Sequence, residues 1–569
     1  MSMIHTIQSW LTSPMERIFA NSMPHADYAA VSALRNEPVS FCLAFRAMYQ
    51  KSPTERIPDL PISVVAECEG VKIASYAIGN VPLDATLCED GKVAAGAVPD
   101  VLLPRITVPE IRVGDQRLPF YEVGQKYLLN ASVVSTGGVW FTFNEAGQML
   151  EAGDHSVSVR VISLTTGETI REHSFHVHVI NAALPKDDFV YTNWFHYDCL
   201  ADYYGVDLYS DAYFDILESY IKNAVKHGQN TLLTPAFTPA LDTAVGMERK
   251  NVQLVGVKLA NGKYTFDFSL LDRFVRLALQ CGITHIEHCH LFSQWGAASA
   301  INIYGEHDGV YGRLFSCADA ADGEAYADFL QAYLPAFLDF ARRLGIEDRL
   351  LFHVSDEPKD FQLPQYARAY GVVRELLSGY RFGDALSHFE LYQSGVVQTP
   401  IVATAFAEDF RDRCDDFMLY YTGGTPDERL SNRMLTSAPW KTRILGTQLF
   451  AYRATGFLHW GYNYYYGRMS YGIFDPKVDP CGYRNMPGVS YIAYPGFDRR
   501  AYPSIREKQM QDAISDFLAL RLLAEKMGFA EVERRLTLWL GEKPTVYTLP
   551  QSSEEMLALR ERINAALAE

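Results

Sequence analysis

RLLFHVSDEP, residues 349–358, runs from Arg349 through apolar residues and closes on two adjacent carboxylates, Asp356 and Glu357, followed by Pro358. A short apolar run stopped by proline reads as a buried strand, because proline cannot continue a hydrogen-bonded ladder. Runs of the same kind recur on both sides: VYTNWFHYD (190–198), NTLLTP (230–235), THIEHCHLF (284–292), ALSHFELYQ (385–393), TPIVATAF (399–406), DFMLYYT (416–422) and GFLHWGYNY (456–464). Between most of them lie helical patterns such as DAYFDILESYIKNAVKHG and YADFLQAYLPAFLDFARRLG, with apolar residues three and four apart. Gly228, Gly282 and Gly345 stand where helix C-caps are expected. Eight strands alternating with helices predict a (β/α)8 barrel of the TIM type. A doubly wound sheet is the structural alternative, but its G-x-G-x-x-G is absent after the first strand.

Upstream the rhythm is different. ISVVAE, KIASYAIG, KYLLNASVV, VWFTFN, HSVSVRVIS and EHSFHVHVI alternate apolar and polar residues between Gly, Pro, Asn and Asp turns. That pattern predicts a β-sandwich over residues 35–185, with a hinge at NAALPKDD (181–188). The expected organisation is multidomain: an N-terminal helical segment (1–34), the sandwich (35–185), the barrel (186–525) and a C-terminal helical extension (526–569). The extension belongs to a helical tail that begins at Pro503 and Ser504, a good helix start.

A chain of 569 residues exceeds what a single core usually organises, in keeping with several domains. The net charge of −17 is spread along the chain, which argues against nucleic acid or an anionic membrane as partner. Nine scattered cysteines without a C-x-x-C pair suggest neither a disulfide framework nor a zinc knuckle. The N-terminus lacks the apolar core of a secretory signal and no run is long enough to span a membrane, so a cytoplasmic location is expected.

Barrel active sites form at the C-terminal ends of the strands. An Asp-Glu pair in a loop is ordinarily a helix cap and a solvated charge; at the mouth of the fourth strand it becomes a catalytic candidate. Neighbouring residues of an extended strand face opposite ways, so both carboxylates can address one ligand only where the strand frays. The same mouth is expected to gather Asn193, Trp194, His196 and Asp198 from the first strand, and His288, His290 and Trp295 from the third. Glu390 and Tyr392 end the fifth, Tyr420 and Tyr421 the seventh, and Trp460, Tyr462, Asn463 and Tyr464 the eighth. Aromatic faces and amide, imidazole and carboxylate groups suit a sugar, whose ring has apolar faces and a rim of hydroxyls. His288 and His290, on one side of a strand, are compatible with a shared ion. No further ligand stands at motif spacing, so neither a metal nor a cofactor is expected.

Three segments together carry a family resemblance: SDEP with Asp356 and Glu357; GFLHWGYNYY with Gly456, Leu458, Trp460, Gly461 and Asn463; and YPG followed by Pro503, Ser504 and Arg506. In this order the region from about residue 190 to residue 525 resembles the catalytic domain of glycoside hydrolase family 123. The resemblance implies an exo-acting β-N-acetylgalactosaminidase that retains configuration by substrate assistance. The substrate's acetamido oxygen attacks the anomeric carbon, Glu357 serves as acid and base, and Asp356 holds the acetamido N–H. The implied partner is a small oligosaccharide or glycoconjugate. Two alternatives stay open: a retaining glycosidase with Glu390 as nucleophile, and a glycan-binding protein without activity.

Overall fold

The structure, a computed structural model, describes residues 6–48, 60–83, 96–104, 112–113, 116–117, 129–131, 135–186, 188–243, 248–423, 429–482 and 486–569. Two five-stranded sheets come first. One orders Thr6–Thr12, Val39–Met48, Gly137–Phe143, Ile73–Val81 and Val98–Pro104, antiparallel throughout. The other orders Ala30–Leu34, Thr169–Ile180, Gly153–Ser163, Leu60–Glu67 and Leu129–Ala131, with Ala30–Leu34 running parallel to its neighbour. The period of two is plain: Val157, Val159 and Val161 are buried between half-buried Ser158 and Arg160, and Phe175, Val177 and Val179 are buried between exposed His176 and His178. Phe41 of the first sheet stacks on Phe175 of the second at 4.1 Å, so the buried faces share one core. Of the run KYLLNASVV, Leu129–Ala131 is a strand and the rest lies outside the described residues.

The helical segment expected over residues 1–34 is corrected. Thr6–Thr12 and Ala30–Leu34 are strands, residues 1–5 lying outside the described set. Pro14 and Pro24 prevent a continuous helix. Each strand completes its hydrogen bonds with a distant partner, Val39–Met48 or Thr169–Ile180, which local periodicity does not reveal.

Beyond residue 188 a curled parallel sheet is built from β1 (Val190–Asn193), β2 (Thr231–Thr234), β3 (His285–His288), β4 (Leu350–Phe352), β5 in two runs (Arg381–Phe382 and Ala385–Leu386), β6 (Ile401–Ala403), β7 (Met418–Tyr420) and β8 (Gly456–His459). All of its pairings are parallel, and β1 lies between β2 and β8. The first run of β5 pairs with β4 and the second with β6. Gly383 N–H donates to Phe352 O at 3.0 Å, and Ile401 N–H donates to Asp384 O at 3.0 Å. Val190, Leu233, Ala385, Ile401, Met418, Tyr420 and Leu458 form a core on the concave side with Trp194. A Cβ on Gly456 would fall 2.7 Å from Val190 O, which accounts for the glycine opening β8.

Helices Asp211–Lys226, Ser269–Cys281, Glu324–Leu344 and Leu363–Val373 follow the first four strands. Gly282 and Gly345 are left-handed C-caps, whereas His227 takes that position ahead of Gly228. The connections after β5 and β6 carry short helices, Phe389–Gln393 after β5 and a 3-10 turn Thr404–Phe406 leading into Ala407–Phe410 after β6, so this half of the sheet departs from a regular strand–helix alternation. Two long connections, after β2 and after β3, add Gly256–Ala260, Lys263–Asp267, Ile303–His307 and Val310–Phe315, which pair into a four-stranded sheet. No described helix is long and apolar enough to cross a membrane.

The tail folds as helices Ile505–Met527, Phe529–Leu540 and Ser553–Ala568. Ser504 is the N-cap of the first, its Oγ accepting from Glu507 N–H. That helix runs through the expected division at 525–526. Ion pairs fasten the tail to the sandwich: Arg506 to Asp100 at 3.0 Å and Arg560 to Glu37 at 2.6 Å, both buried, and Lys508 to half-buried Glu145 at 3.1 Å.

Candidate active site

A cavity of about 500 Å³ opens at the C-terminal ends of these strands. Trp194, Trp295, Trp460 and Tyr420 supply its aromatic surface, and Asp242, Asp356 and Glu357 are the carboxylates on it. β4 ends at Phe352, so Asp356 and Glu357 lie in the loop beyond it. Glu357 has φ +42°, a left-handed conformation that a residue before proline seldom adopts. This turn breaks the alternation of an extended chain and lets both carboxylates reach one cavity. Asp242, Trp295 and Met469, also on the cavity, have φ of +45°, +60° and +59°. Strain of about 1–3 kcal/mol per such residue persists only where surrounding contacts enforce it, as functional sites do.

Tyr420 Oη donates to Glu357 Oε1 at 2.7 Å. Burial and then the Glu357 charge push the Tyr420 phenol well above its ordinary range, so it remains a neutral donor. Burial, followed by the neighbouring Glu357 and by Asp384, raises Asp356 well above a surface aspartate. Trp295 N–H donates to the Asp356 carbonyl at 2.7 Å, tying the loop after β3 to the pair.

Below the pair lies a charged network that takes up polar groups of four strand regions. His353 Nε2 bonds Glu287 Oε1 at 2.6 Å, and Glu287 also accepts from Thr192 Oγ1 and Trp194 Nε1. His353 Nδ1 is 3.3 Å from Asp384 Oδ1, within ion-pair range though not aligned as a hydrogen bond. Asp384 accepts from Ser355 N–H and Tyr366 Oη through its other oxygen. Burial alone would lower His353, but Asp384 and Glu287 outweigh it and hold the imidazolium up to about 10. The folded value exceeds the ordinary 6.5, so His353 contributes stability that is full below about pH 6.5 and is lost as pH rises toward 10. The midpoint of denaturant unfolding is therefore expected to fall across that window. A His353→Gln variant, weaker at every pH, should lose this slope; an identical slope in both proteins would remove His353 as its source.

The expected site residues separate into two groups. Trp194, His196, Trp295, Tyr420 and Trp460 line the cavity with the carboxylate pair. His196 is neutral, lowered by burial and then by Arg249, and its Nε2 bonds Trp460 O at 2.8 Å. Asn463 clasps the His196 backbone from both sides, accepting from its N–H at 2.9 Å and donating to its carbonyl at 3.1 Å. Asn193 is buried between Gln229 and Arg433, so it and Asn463 brace the wall without reaching the cavity. Asp198 is paired with Arg249.

The remainder are corrected. Glu390 and Tyr392 do not end β5; they lie on helix Phe389–Gln393, with Glu390 exposed and Tyr392 packed on Phe389 and Phe410. Tyr421 turns to the far side from Tyr420 and donates to Met510 Sδ. Tyr462 is buried, stacked on Phe195 at 4.3 Å and bonded by Asn223. His288 points outward to Tyr333 Oη at 2.9 Å, while His290 stacks on His353 at 4.6 Å. The two diverge because β3 ends at His288, so period-two alternation does not carry on to His290.

Sequence reasoning missed Asp242, Gln294, Arg468 and Met469 on the cavity, and Arg249, His353 and Asp384 behind it. Asp242, Arg249, Gln294, Arg468 and Met469 sit in connections whose composition carries no period; His353 and Asp384 lay in or beside quoted strands and were legible as buried polar residues needing partners.

Among known proteins, the family model described as glycoside hydrolase 123, catalytic domain, matches residues 194–523, more than half of the chain. No curated protein matches in sequence. Among solved structures, a family 123 glycoside hydrolase from Clostridium perfringens, described in a study of glycolipid glycan hydrolysis, superposes with TM-score 0.71. It is 12% identical, over 99% of this chain and 98% of its own. A family 39 glycoside hydrolase from Bacteroides cellulosilyticus WH2 reaches only TM-score 0.31 at 9% identity, over 80% of each chain, and carries no argument here. With its catalytic segment matched from Trp194 to Leu523 and the same fold over nearly its whole length, the chain belongs to glycoside hydrolase family 123 and is a glycosidase.

Proposed function

We propose that the enzyme releases terminal β-linked N-acetylgalactosamine from an oligosaccharide or glycoconjugate by a retaining, substrate-assisted mechanism. The observation that carries this reading is the side-by-side exposure of Asp356 and Glu357 to one aromatic-walled cavity. Glu357 protonates the glycosidic oxygen while the acetamido oxygen attacks the anomeric carbon. The C–O bond to the leaving group breaks, an oxazolinium ion forms, and Glu357 then takes a proton from the water that opens it. Asp356 accepts the acetamido N–H and balances the positive charge. Burial favours protonated Asp356 in the free enzyme. An incoming N–H donor favours its ionised form, so on substrate binding Asp356 gives up its proton to solvent water. We further infer that the sheet is a closed eight-stranded barrel in which residues 381–386 join β4 to β6.

A conventional double displacement needs an enzyme nucleophile. Glu390 does not line the cavity; Asp242 does, and its Oδ2 has no hydrogen-bond partner among the described residues. The two readings diverge on the 2-acetamido group. Aryl β-glycosides of N-acetylgalactosamine should be cleaved and those of galactose left essentially intact, and a thiazoline mimic of the oxazolinium should inhibit. Equal cleavage of the galactoside would sink substrate assistance and turn attention to Asp242.

A further inference from the structure

Asp384 lies between the two runs of β5, in the network beneath the carboxylate pair, and the proposed mechanism gives it no task. Its side chain is fully buried. One oxygen accepts from Ser355 N–H at 3.0 Å and from Tyr366 Oη, and the other faces His353 Nδ1 at 3.3 Å. Ser355 directly precedes Asp356, so Asp384 grips the turn that carries the pair. The two aspartates meet there with unequal support. Asp384 has a cation and two donors, whereas no described residue donates to the Asp356 carboxylate.

Burial raises a carboxyl that water cannot reach, while a counter-ion and hydrogen-bond donors favour its charge. For Asp384 burial is the largest influence, and His353, Tyr366 and Ser355 pull the group back toward its ionised form. Asp356 lacks that relief. After burial and Glu357, the Asp384 charge raises it further, and His353 and then Lys359 offset this only in part. Glu357 and Lys359 face Asp356 from its own turn, His353 from just beyond β4, Asp384 from β5 and Tyr420 from β7. Asp242 and Arg468 stand on the same cavity. As pH rises Asp384 therefore ionises first, and its charge holds the proton on Asp356. The empty, aromatic-walled site is thereby spared two adjacent charges.

We propose that Asp384 is a positioning residue for Asp356, holding its turn through Ser355 N–H and keeping it protonated in the empty site. Its bearing on catalysis rests on Asp356 accepting the acetamido N–H. The test uses the full-length enzyme with carbon-13-labelled aspartate carboxyls, followed by NMR; the Asp356 signal is the one absent from Asp356→Asn. Asp384→Asn keeps an acceptor for Ser355 and Tyr366 and removes the charge. It should lower the Asp356 titration midpoint by roughly one pH unit, the size of a nearby like charge. The sign holds even where His353 loses its proton as well, because Asp384 acts on Asp356 more strongly than His353 does. The acidic limb of kcat/KM should move down equally, so that well below it the variant keeps about tenfold more of its own plateau rate. Glu287→Gln disturbs the same network from the other side of His353. It should leave the midpoint in place or raise it, because the imidazolium that Glu287 supports lowers Asp356. Tyr366→Phe takes one donor from Asp384, should lower the midpoint less, and replaces Asp384→Asn should that variant fail to fold. An unmoved midpoint, or equal falls in Asp384→Asn and Glu287→Gln, would overturn the proposal. A midpoint that falls while the acidic limb stays in place upholds the control of Asp356 by Asp384 and sinks the reading of Asp356 as the acetamido acceptor.

Discussion

Glu357→Gln is expected to lower kcat on an unactivated β-glycoside by about 10²–10⁴-fold, the usual worth of a positioned acid and base. The substitution conserves shape. Tyr420 Oη can still donate to the side-chain carbonyl oxygen, so the tie to β7 and the left-handed turn at residue 357 survive. On the proposed mechanism, what disappears is the proton for the leaving oxygen. The loss should therefore shrink on a dinitrophenyl glycoside, whose leaving group needs little protonation, and ligand binding by calorimetry should be spared. Asp356→Asn should behave differently. On the same mechanism it removes the charge facing the acetamido nitrogen, so its loss should persist on the activated substrate. Unchanged turnover in Glu357→Gln would take this residue out of the mechanism.

Arg506→Met is expected to have the largest effect on stability. Arg506 and Asp100 are both fully buried and paired at 3.0 Å, and Arg506 Nη1 also donates to the carbonyls of Arg433, Gly488 and Tyr491. Removing the guanidinium leaves the Asp100 charge without its partner and three carbonyls without a donor, a cost of about 3–5 kcal/mol. Arg433 passes the strain on, since its guanidinium holds Asn193 at the end of β1 and the carbonyl of Gly461 after β8. Differential scanning calorimetry should read a Tm lower by several degrees, with activity lost at a lower temperature. The double variant with Asp100→Asn should recover part of the loss, because the stranded charge goes with its partner. A Tm within error of wild type in Arg506→Met would mean that the buried pair is energetically neutral.

The strand positions were largely legible because each is an apolar run, and buried parallel strands need little else. β5 was misread for a physical reason. ALSHFELYQ contains β-compatible residues throughout, yet its strand portion ends at Leu386 and the chain turns into a helix at Phe389, which carried Glu390 and Tyr392 away from the mouth. Gly461 was legible as part of a motif but not as a constraint. Only the packed fold brings Ser490 O to 2.6 Å from where its Cβ would sit.

The sequence by itself determined the elements and the candidate groups: period-two runs for the sandwich, apolar runs and helical stripes for the parallel sheet, and an Asp-Glu pair stopped by Pro358. These depend on residues close together in the chain, where periodicity and turn chemistry act. Tertiary structure alone decided how the pair is placed. The left-handed turn at Glu357 points both carboxylates one way, Tyr420 contributes its hydroxyl from β7, and Asp384 and Glu287 keep His353 charged beneath them. The last two join groups far apart in sequence, so burial and charge at the site follow from packing between strands rather than from any local pattern.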